Sequence, residues 1–350
     1  MKYFGSRLKS ARLMNGLSLQ GLADRIENRV TKQALSKYEM GQVIPDSEMI
    51  GLLAEALGVR PNYFHADTIV EFGEIEFRKL ANYPVKEKNR IVEIAKNELS
   101  RYIELEEILG IETKFHNPLH NMPINSQDDI EVAAEMLRDA WGLGRDAISN
   151  VIEVLEDHHV KVLEIDSTES FDGFATWVNR DIPLIVLNKS RLDANLDRKR
   201  FTALHELAHL LLDVNGLPEK QKEKKCHAFA AAMLLPAETM KKELGGKRTK
   251  LSIHELSAMK QQYGISMQAL VYRAKNLGLI SENYFKQFYM VFNQLGYRVN
   301  EPVEYEGVEH SNRFSQLLFR ALVEEFISMS KAAALKNQKL TEFRKENIVI

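Results

Sequence analysis

The chain contains 350 residues, of which 45% are hydrophobic, and its 47 lysine and arginine residues nearly balance its 49 aspartate and glutamate residues. This length suffices for two or three domains with buried cores. A net charge of −2 excludes a polycation, so any nucleic-acid surface must be local. One cysteine excludes an internal disulfide framework and indicates a cytoplasmic protein. We expect no signal peptide and no membrane span, because no apolar segment approaches roughly 20 residues.

Residues 4–64 read as a series of five short helices. Ser18 precedes the second helix, Thr31 the third and Asp46 the fourth, and each is a residue type that caps helix N-termini. Pro61 opens a short fifth helix. Two helices joined by a short turn and packed by three others form a helix-turn-helix domain, whose second helix enters the major groove. Because such domains usually bind two half-sites, we expect a homodimer on a double-stranded DNA operator.

The helix predicted at residues 32–39 is the candidate recognition helix, and its inward face carries Ala34, Leu35 and Tyr38. Residues 1–60 carry nine lysine or arginine residues and six acidic ones, a local charge of +3 on an acidic chain. Polar and basic side chains on the outward face suit base edges and phosphates. The alternative is a solvated helix in an interaction module. We predict that DNA contacts Thr31, Lys32, Gln33, Ser36 and Lys37.

Two segments of this region carry a family resemblance: Leu17-Ser-Leu-Gln-Gly-Leu-Ala-Asp and Val30-Thr-Lys-Gln-Ala-Leu-Ser-Lys-Tyr-Glu-Met-Gly41. They are similar to the Xre/Cro-type helix-turn-helix family, and the resemblance covers residues 4–64. It implies a DNA-binding transcriptional regulator. Two features depart from the family pattern: the turn lacks the usual glycine and is two residues longer, and Leu19 stands where a phosphate-contacting glutamine is common.

We interpret residues 66–110 as a connector between two domains. A short alternating patch at residues 70–80 predicts a strand or an irregular arm, and Lys86–Leu109 predicts a helix with a long apolar stripe. We interpret this helix as a connector and dimerisation arm; the alternative is that it packs on the domain that follows.

The region after a linker at residues 111–127 predicts helices at 128–143 and 146–158, followed by three strands at 160–165, 174–179 and 182–188. Pro183 lies near the start of the third strand, which suits an edge strand. The predicted fold class is therefore mainly α with a small β-sheet (α+β). An edge strand beside a metal would be able to hold an extended peptide.

The chemistry of the chain centres on an H-E-x-x-H sequence within a predicted helix. His205 and His209 are four residues apart, so both imidazoles face one point, where they suit zinc. Glu206 is placed to act as general base. A second helix, from about residue 219 to 235, carries Glu223 and His227 on one face. We predict that Glu223 is the third ligand and that His227 supports Glu223; the alternative is the reverse assignment, with His227 on the metal.

Both helices together resemble a known family. Arg200-Phe-Thr-Ala-Leu-His-Glu-Leu-Ala-His-Leu-Leu-Leu, followed by E-x-x-C-H-x-F-A-A-x-x-L-L-P, is similar to the ImmA/IrrE family of metallopeptidase domains. The resemblance covers residues 125–280 and implies a zincin-like fold with His205, His209 and Glu223 as Zn²⁺ ligands and Glu206 as base. Other members often carry Asn or Asp where this chain has His227.

The remaining chain predicts helices at 239–244, 252–263, 266–277, 283–296, 311–328 and 330–335, with a frayed tail after Lys336. We thus predict four segments. They are a DNA-binding domain at 1–65, a connector at 66–110, a metallopeptidase domain at 125–280 and a C-terminal helical region at 281–350.

Two functional hypotheses follow. In the first, the chain is a repressor whose zinc peptidase domain cleaves a protein or peptide, a partner or itself, in response to a signal. In the second, it is a transcription factor, or the antitoxin of a toxin–antitoxin pair, whose metal domain senses or binds without cleaving. Glu206 favours the first, because a structural zinc has no use for a general base. Tyr263, His227 and His254 are candidates for stabilising the transition state.

Overall fold

A computed structural model describes residues 3–65, 70–73, 84–112, 114–167, 171–214 and 216–346. The predicted strand or arm at 70–80 lies outside these residues from position 74 onward. In the described part the chain is mainly α-helical with one small sheet, which confirms the predicted fold class. None of the described helices is both long and apolar enough to cross a membrane. The chain divides into a first unit (residues 1–72, 76–112 and 314–350) and a second unit (73–75 and 113–313).

The helices follow one another in this order: α1 (Phe4–Met14), α2 (Leu19–Arg25), α3 (Lys32–Glu39), α4 (Ser47–Leu57), a 3-10 helix (Pro61–His65), α5 (Val85–Ile108), α6 (Gln127–Ala140), α7 (Val151–Asp157), α8 (Lys189–Leu192), α9 (Leu196–Leu211), α10 (Glu219–Leu234), α11 (Ala237–Leu244), α12 (Ile253–Tyr263), α13 (Met267–Asn276), α14 (Glu282–Gln294), α15 (Arg313–Val323), α16 (Met329–Leu335) and α17 (Leu340–Glu346). The strands are β1 (Lys161–Ile165), β2 (Gly173–Val178) and β3 (Ile182–Asn188).

Helix starts in the first unit are set by local capping. The side chains of Ser18, Thr31 and Asp46 each accept a hydrogen bond from the backbone N–H three residues further on, as predicted. The fifth predicted helix is a 3-10 helix. A core that includes Leu8, Leu22, Leu35, Leu53 and Phe64 holds these helices together.

The candidate recognition helix α3 is also fixed at its C-terminal end. Arg12 of α1 makes a two-pronged ion pair with Glu39, at 2.6 Å from Nε to Oε1 and 2.8 Å from Nη2 to Oε2. A Cβ built on Gly5 would lie 2.5 Å from the Glu39 carbonyl oxygen, so only glycine allows α1 to approach α3 this closely.

Helix α5, the predicted connector, packs against α1 and α16 within the first unit. The Ser10 hydroxyl donates to Glu93 Oε2 at 2.6 Å. Ile91, Ala95 and Leu99 on its apolar stripe are fully buried in the single chain. A dimerisation role for α5 would therefore need a different face of the helix, and it stays a prediction.

The three-stranded sheet lies in the second unit, in the order β1-β3-β2, with β1 parallel and β2 antiparallel to β3. The expectation that Pro183 marks an edge strand was wrong, because β3 is central. The parallel pairing with β1 begins only at Leu184, so at Pro183 one side of β3 is left unpaired among the described strands. A proline without an N–H is tolerated there.

Two helix predictions and the prediction of a frayed tail needed correction. The helix predicted at 146–158 begins at Val151, because Asn150 caps it by accepting from the Glu153 N–H. The helix predicted at 311–328 is α15, which ends at Val323. The tail after Lys336 contains α17, anchored by the fully buried ring of Phe343.

The second unit is built around α9, which packs on β2 and β3 and against α10. Helix α10 also contacts α6 and α13, so it is enclosed on several sides. From Ala228 to Leu234 every residue of α10 is buried. The core therefore fixes the relative position of the two helices that carry the predicted metal ligands.

Candidate metal centre

Helix α9 brings the H-E-x-x-H residues into the interior of the second unit. It begins after Asn195, whose side chain accepts from the Arg198 N–H, and most of its sixteen residues are buried. His205 and Glu206 are 4% and 3% exposed. Both polar side chains are therefore held inside the protein, which is favourable only where they have partners.

The donor atoms of His205, His209 and Glu223 converge on one point. The two Nε2 atoms lie 3.1 Å apart. Glu223 Oε2 is 3.2 Å from His205 Nε2, and Oε1 is 3.3 Å from His209 Nε2. Tetrahedral ligands at roughly 2.0–2.1 Å from zinc stand about 3.3 Å from each other. Two imidazole nitrogens and a carboxylate at these separations fit a zinc ion.

The other ring nitrogens of both histidines face residues of α10. His227 Nδ1 lies 2.7 Å from His205 Nδ1, and Cys226 Sγ lies 3.7 Å from His209 Nδ1. Partners on the far ring nitrogen set the tautomer and the orientation of a metal-binding imidazole. We predicted His227 as a partner of Glu223, and the structure places its Nδ1 beside His205. The contact of Cys226 with His209 was not predicted, because it depends on the packing of α9 against α10.

A second donor set overlaps the first. His205, Glu223 and His227 also have ligand atoms within 4.8 Å of one another. His227 approaches His205 through Nδ1, whereas Glu223 approaches it through Nε2. The two nitrogens of one imidazole point in different directions, so one ion cannot lie against both. We therefore favour the set of His205, His209 and Glu223, because the Nε2 atoms of both histidines lie beside the Glu223 carboxylate.

The electrostatics at His209 combine two opposing effects. Burial alone would lower its pKa, but hydrogen bonds to Cys226 and Glu223 outweigh burial and raise the pKa to about 9. A metal ion needs the neutral ring, so metal and proton compete for this nitrogen.

The other residues considered for catalysis lie in different surroundings. Tyr263 is buried and its hydroxyl donates to Glu243 Oε1 at 2.9 Å. Burial and this carboxylate raise its pKa to about 12. His254 is exposed on α12. His227 is the one of the three that the structure brings to the cluster.

An ion-pair network that sequence reasoning missed lies one turn before His205. Arg200 Nη1 contacts Glu309 Oε1 at 2.7 Å, and both side chains are fully buried. Arg200 Nη1 also donates to the Tyr305 hydroxyl at 2.6 Å. The other carboxylate oxygen of Glu309 accepts the Val151 N–H at the start of α7. No local pattern pairs residues 109 positions apart.

The residues predicted to contact DNA lie together at α3. Thr31, Lys32, Gln33 and Lys37 are exposed and Ser36 is partly buried, while Leu35 points into the core. Thr31 caps the helix by accepting the Ala34 N–H at 3.2 Å. An exposed polar face beginning at a helix N-terminus is the arrangement that a recognition helix requires.

These features define a helix-turn-helix protein with a metallopeptidase-like domain, and comparison with known proteins agrees. Residues 8–64 match the helix-turn-helix family model, and residues 155–275 match the model of the IrrE N-terminal-like domain, peptidase M78. A curated relative is the SPbeta prophage-derived uncharacterized HTH-type transcriptional regulator YonR of Bacillus subtilis strain 168. It is 36% identical over 69 residues, which cover 20% of this chain and 62% of the relative. The chain thus joins an Xre-type helix-turn-helix domain to an IrrE N-terminal-like domain, as the sequence resemblances implied.

Proposed function

We propose that the chain is a cytoplasmic, homodimeric DNA-binding regulator whose IrrE-like domain is a zinc-dependent peptidase. The observation that supports the peptidase proposal is the convergence of the His205, His209 and Glu223 donor atoms within 3.1–3.3 Å. The buried Glu206 follows His205 directly in α9. A structural zinc site is usually closed by four protein ligands, whereas a catalytic one keeps a position open.

The residues have separate tasks in this proposal. A zinc ion bound there would supply Lewis-acid chemistry toward a peptide carbonyl. His205, His209 and Glu223 hold it, while His227 and Cys226 orient the two imidazoles through Nδ1. Glu206 takes the proton from the attacking water and passes it to the leaving amine.

The regulator half is supported by the exposed face of α3 and by the relative named as a transcriptional regulator. Lysines and polar side chains at the start of a recognition helix reach base edges and phosphates. The charge of +3 over residues 1–60 favours association with DNA although the whole chain is weakly acidic. We propose that cleavage of a protein, a partner or the regulator itself, changes occupancy of the operator.

Lys37→Ala tests the DNA-binding half. Loss of a phosphate contact is expected to weaken binding several-fold on every sequence and to reduce the slope of log affinity against log salt by about 1. Fluorescence anisotropy with the operator and with unrelated duplex measures both. Lys286→Ala, which removes an exposed lysine from α14, is the matched control. An unchanged affinity and salt slope for Lys37→Ala would remove this residue from the interface.

A further inference from the structure

A cleft of about 590 Å³ lies beside the candidate metal centre in the second unit, with Glu223 and His227 on its wall. Its inner lining includes the small residues Ala228, Ala231 and Ala269 and the rings of Phe201, Tyr272 and Tyr289. Glu223 itself lines the cleft, so the cleft borders one of the proposed ligands. Clefts of this size with apolar walls and few polar groups are typical of ligand sites.

Apart from Glu223, which faces the two histidines, the charged side chains that line the cleft are the cations Lys220, Lys224 and Arg273. Arg273, the buried cation on the wall, is neutralised by two hydrogen bonds to Glu131 at 2.8 and 2.7 Å. Lys220 and Lys224 stand one helical turn apart on α10, exposed at the edge of the cleft. Glu223 lies between them in sequence but points to the two histidines. The edge therefore favours a negatively charged group, and the interior an uncharged one.

We propose that this cleft is the specificity pocket of the peptidase: it takes an aromatic or long aliphatic side chain next to the scissile bond. Lys220 and Lys224 select an acidic residue beside that side chain. The inference rests on the proposed function and names its substrate class, a peptide with an apolar residue flanked by an acidic one. The alanines leave the space that the apolar side chain fills, and the aromatic rings provide flat surfaces against which it packs.

Hydroxamates test the pocket without a known substrate, because they chelate zinc and carry a chosen side chain. We expect phenylalanine hydroxamate to bind the zinc-loaded protein at least tenfold more tightly than glycine hydroxamate in titration calorimetry. Ala231→Leu should fill the cleft and reduce this ratio to less than twofold while glycine hydroxamate binds as before. Equal affinities of the two probes for the wild-type protein would overturn the proposal of a specificity pocket without contradicting the proposed metal centre.

The charge preference is tested with two longer probes. Aspartyl-phenylalanine hydroxamate should bind several-fold more tightly than lysyl-phenylalanine hydroxamate, and Lys220→Ala with Lys224→Ala should abolish the difference. Lys222→Ala, on the same helix but outside the cleft lining, is the control and should retain the difference. A preference unchanged by the double substitution would overturn the role of the two lysines. If no hydroxamate binds the zinc-loaded protein, the proposed metal function fails, and the pocket fails with it.

Discussion

Replacing Glu206 with glutamine is expected to slow peptide hydrolysis by about 10²- to 10⁴-fold, the range that general base catalysis supplies. Glutamine keeps the size of the buried side chain but cannot take a proton. Since Glu206 is not among the proposed ligands, zinc content should remain that of the wild-type protein. DNA affinity should also remain unchanged, because the residues proposed to contact DNA lie at α3.

The substrate for this measurement comes from a comparison of cells that carry the wild-type protein or Glu206→Gln. Proteins shortened only in the wild-type cells are the candidates, and the purified proteins then give the rates. Glu238→Gln, an exposed glutamate on α11, is the control and should cleave normally. If Glu206→Gln derepresses the target promoter as well as the wild-type protein does, regulation does not require proteolysis. The domain would then act as a non-cleaving sensor.

Glu309→Ala is expected to lower the free energy of unfolding by about 3–5 kcal/mol, because it leaves the fully buried Arg200 without its carboxylate partner. The N–H groups of Val151 and Ile152 also lose their acceptor. Chemical denaturation at pH 8, where the Glu309 carboxylate with its pKa of about 7 is charged, measures the change. Glu324→Gln in the exposed Arg320 pair is the control, with an expected change below about 1 kcal/mol. If both variants lower the free energy of unfolding by a similar amount, burial of the Arg200–Glu309 pair does not add to stability.

The raised pKa of Glu309 predicts how the stability of the protein depends on pH. Burial raises the pKa of Glu309 to about 7, although Arg200 opposes the rise. A carboxyl group whose pKa is higher in the folded than in the unfolded chain stabilises the fold at low pH. This contribution is lost as the pH rises from about 4.5 to about 7. The wild-type protein should therefore lose stability relative to Glu309→Gln over this interval, by at most about 3 kcal/mol. Parallel pH profiles of the two proteins would contradict this assignment.

Local signals predicted much of the fold. Ser18, Thr31 and Ser266 cap their own helices through hydrogen bonds to the third following N–H, so a few neighbouring residues define each start. The spacing of His205 and His209 predicted that the two rings face one point, and the Nε2 atoms do lie 3.1 Å apart. The helix period dictates both results without tertiary information.

The structural features that the sequence did not predict depend on contacts between distant parts of the chain. Pro183 suited an edge strand, but β3 is central because β1 and β2 pair on either side of it. The tail after Lys336 was expected to fray, but α17 forms around the buried Phe343, which stacks near Phe319. The pairing of Arg200 with Glu309 joins residues 109 positions apart. Periodicity reports which face of an element is apolar, and not what covers it.

Zinc content, measured by elemental analysis and zinc-edge X-ray absorption, tests most directly whether His205, His209 and Glu223 form a metal centre. One zinc per chain is predicted, bound by two imidazole nitrogens and a carboxylate oxygen, and Glu223→Ala should lower the affinity by at least 100-fold in competition with a chelator. A wild-type chain that takes up no zinc, or a Glu223→Ala variant that binds it as tightly, would contradict the account.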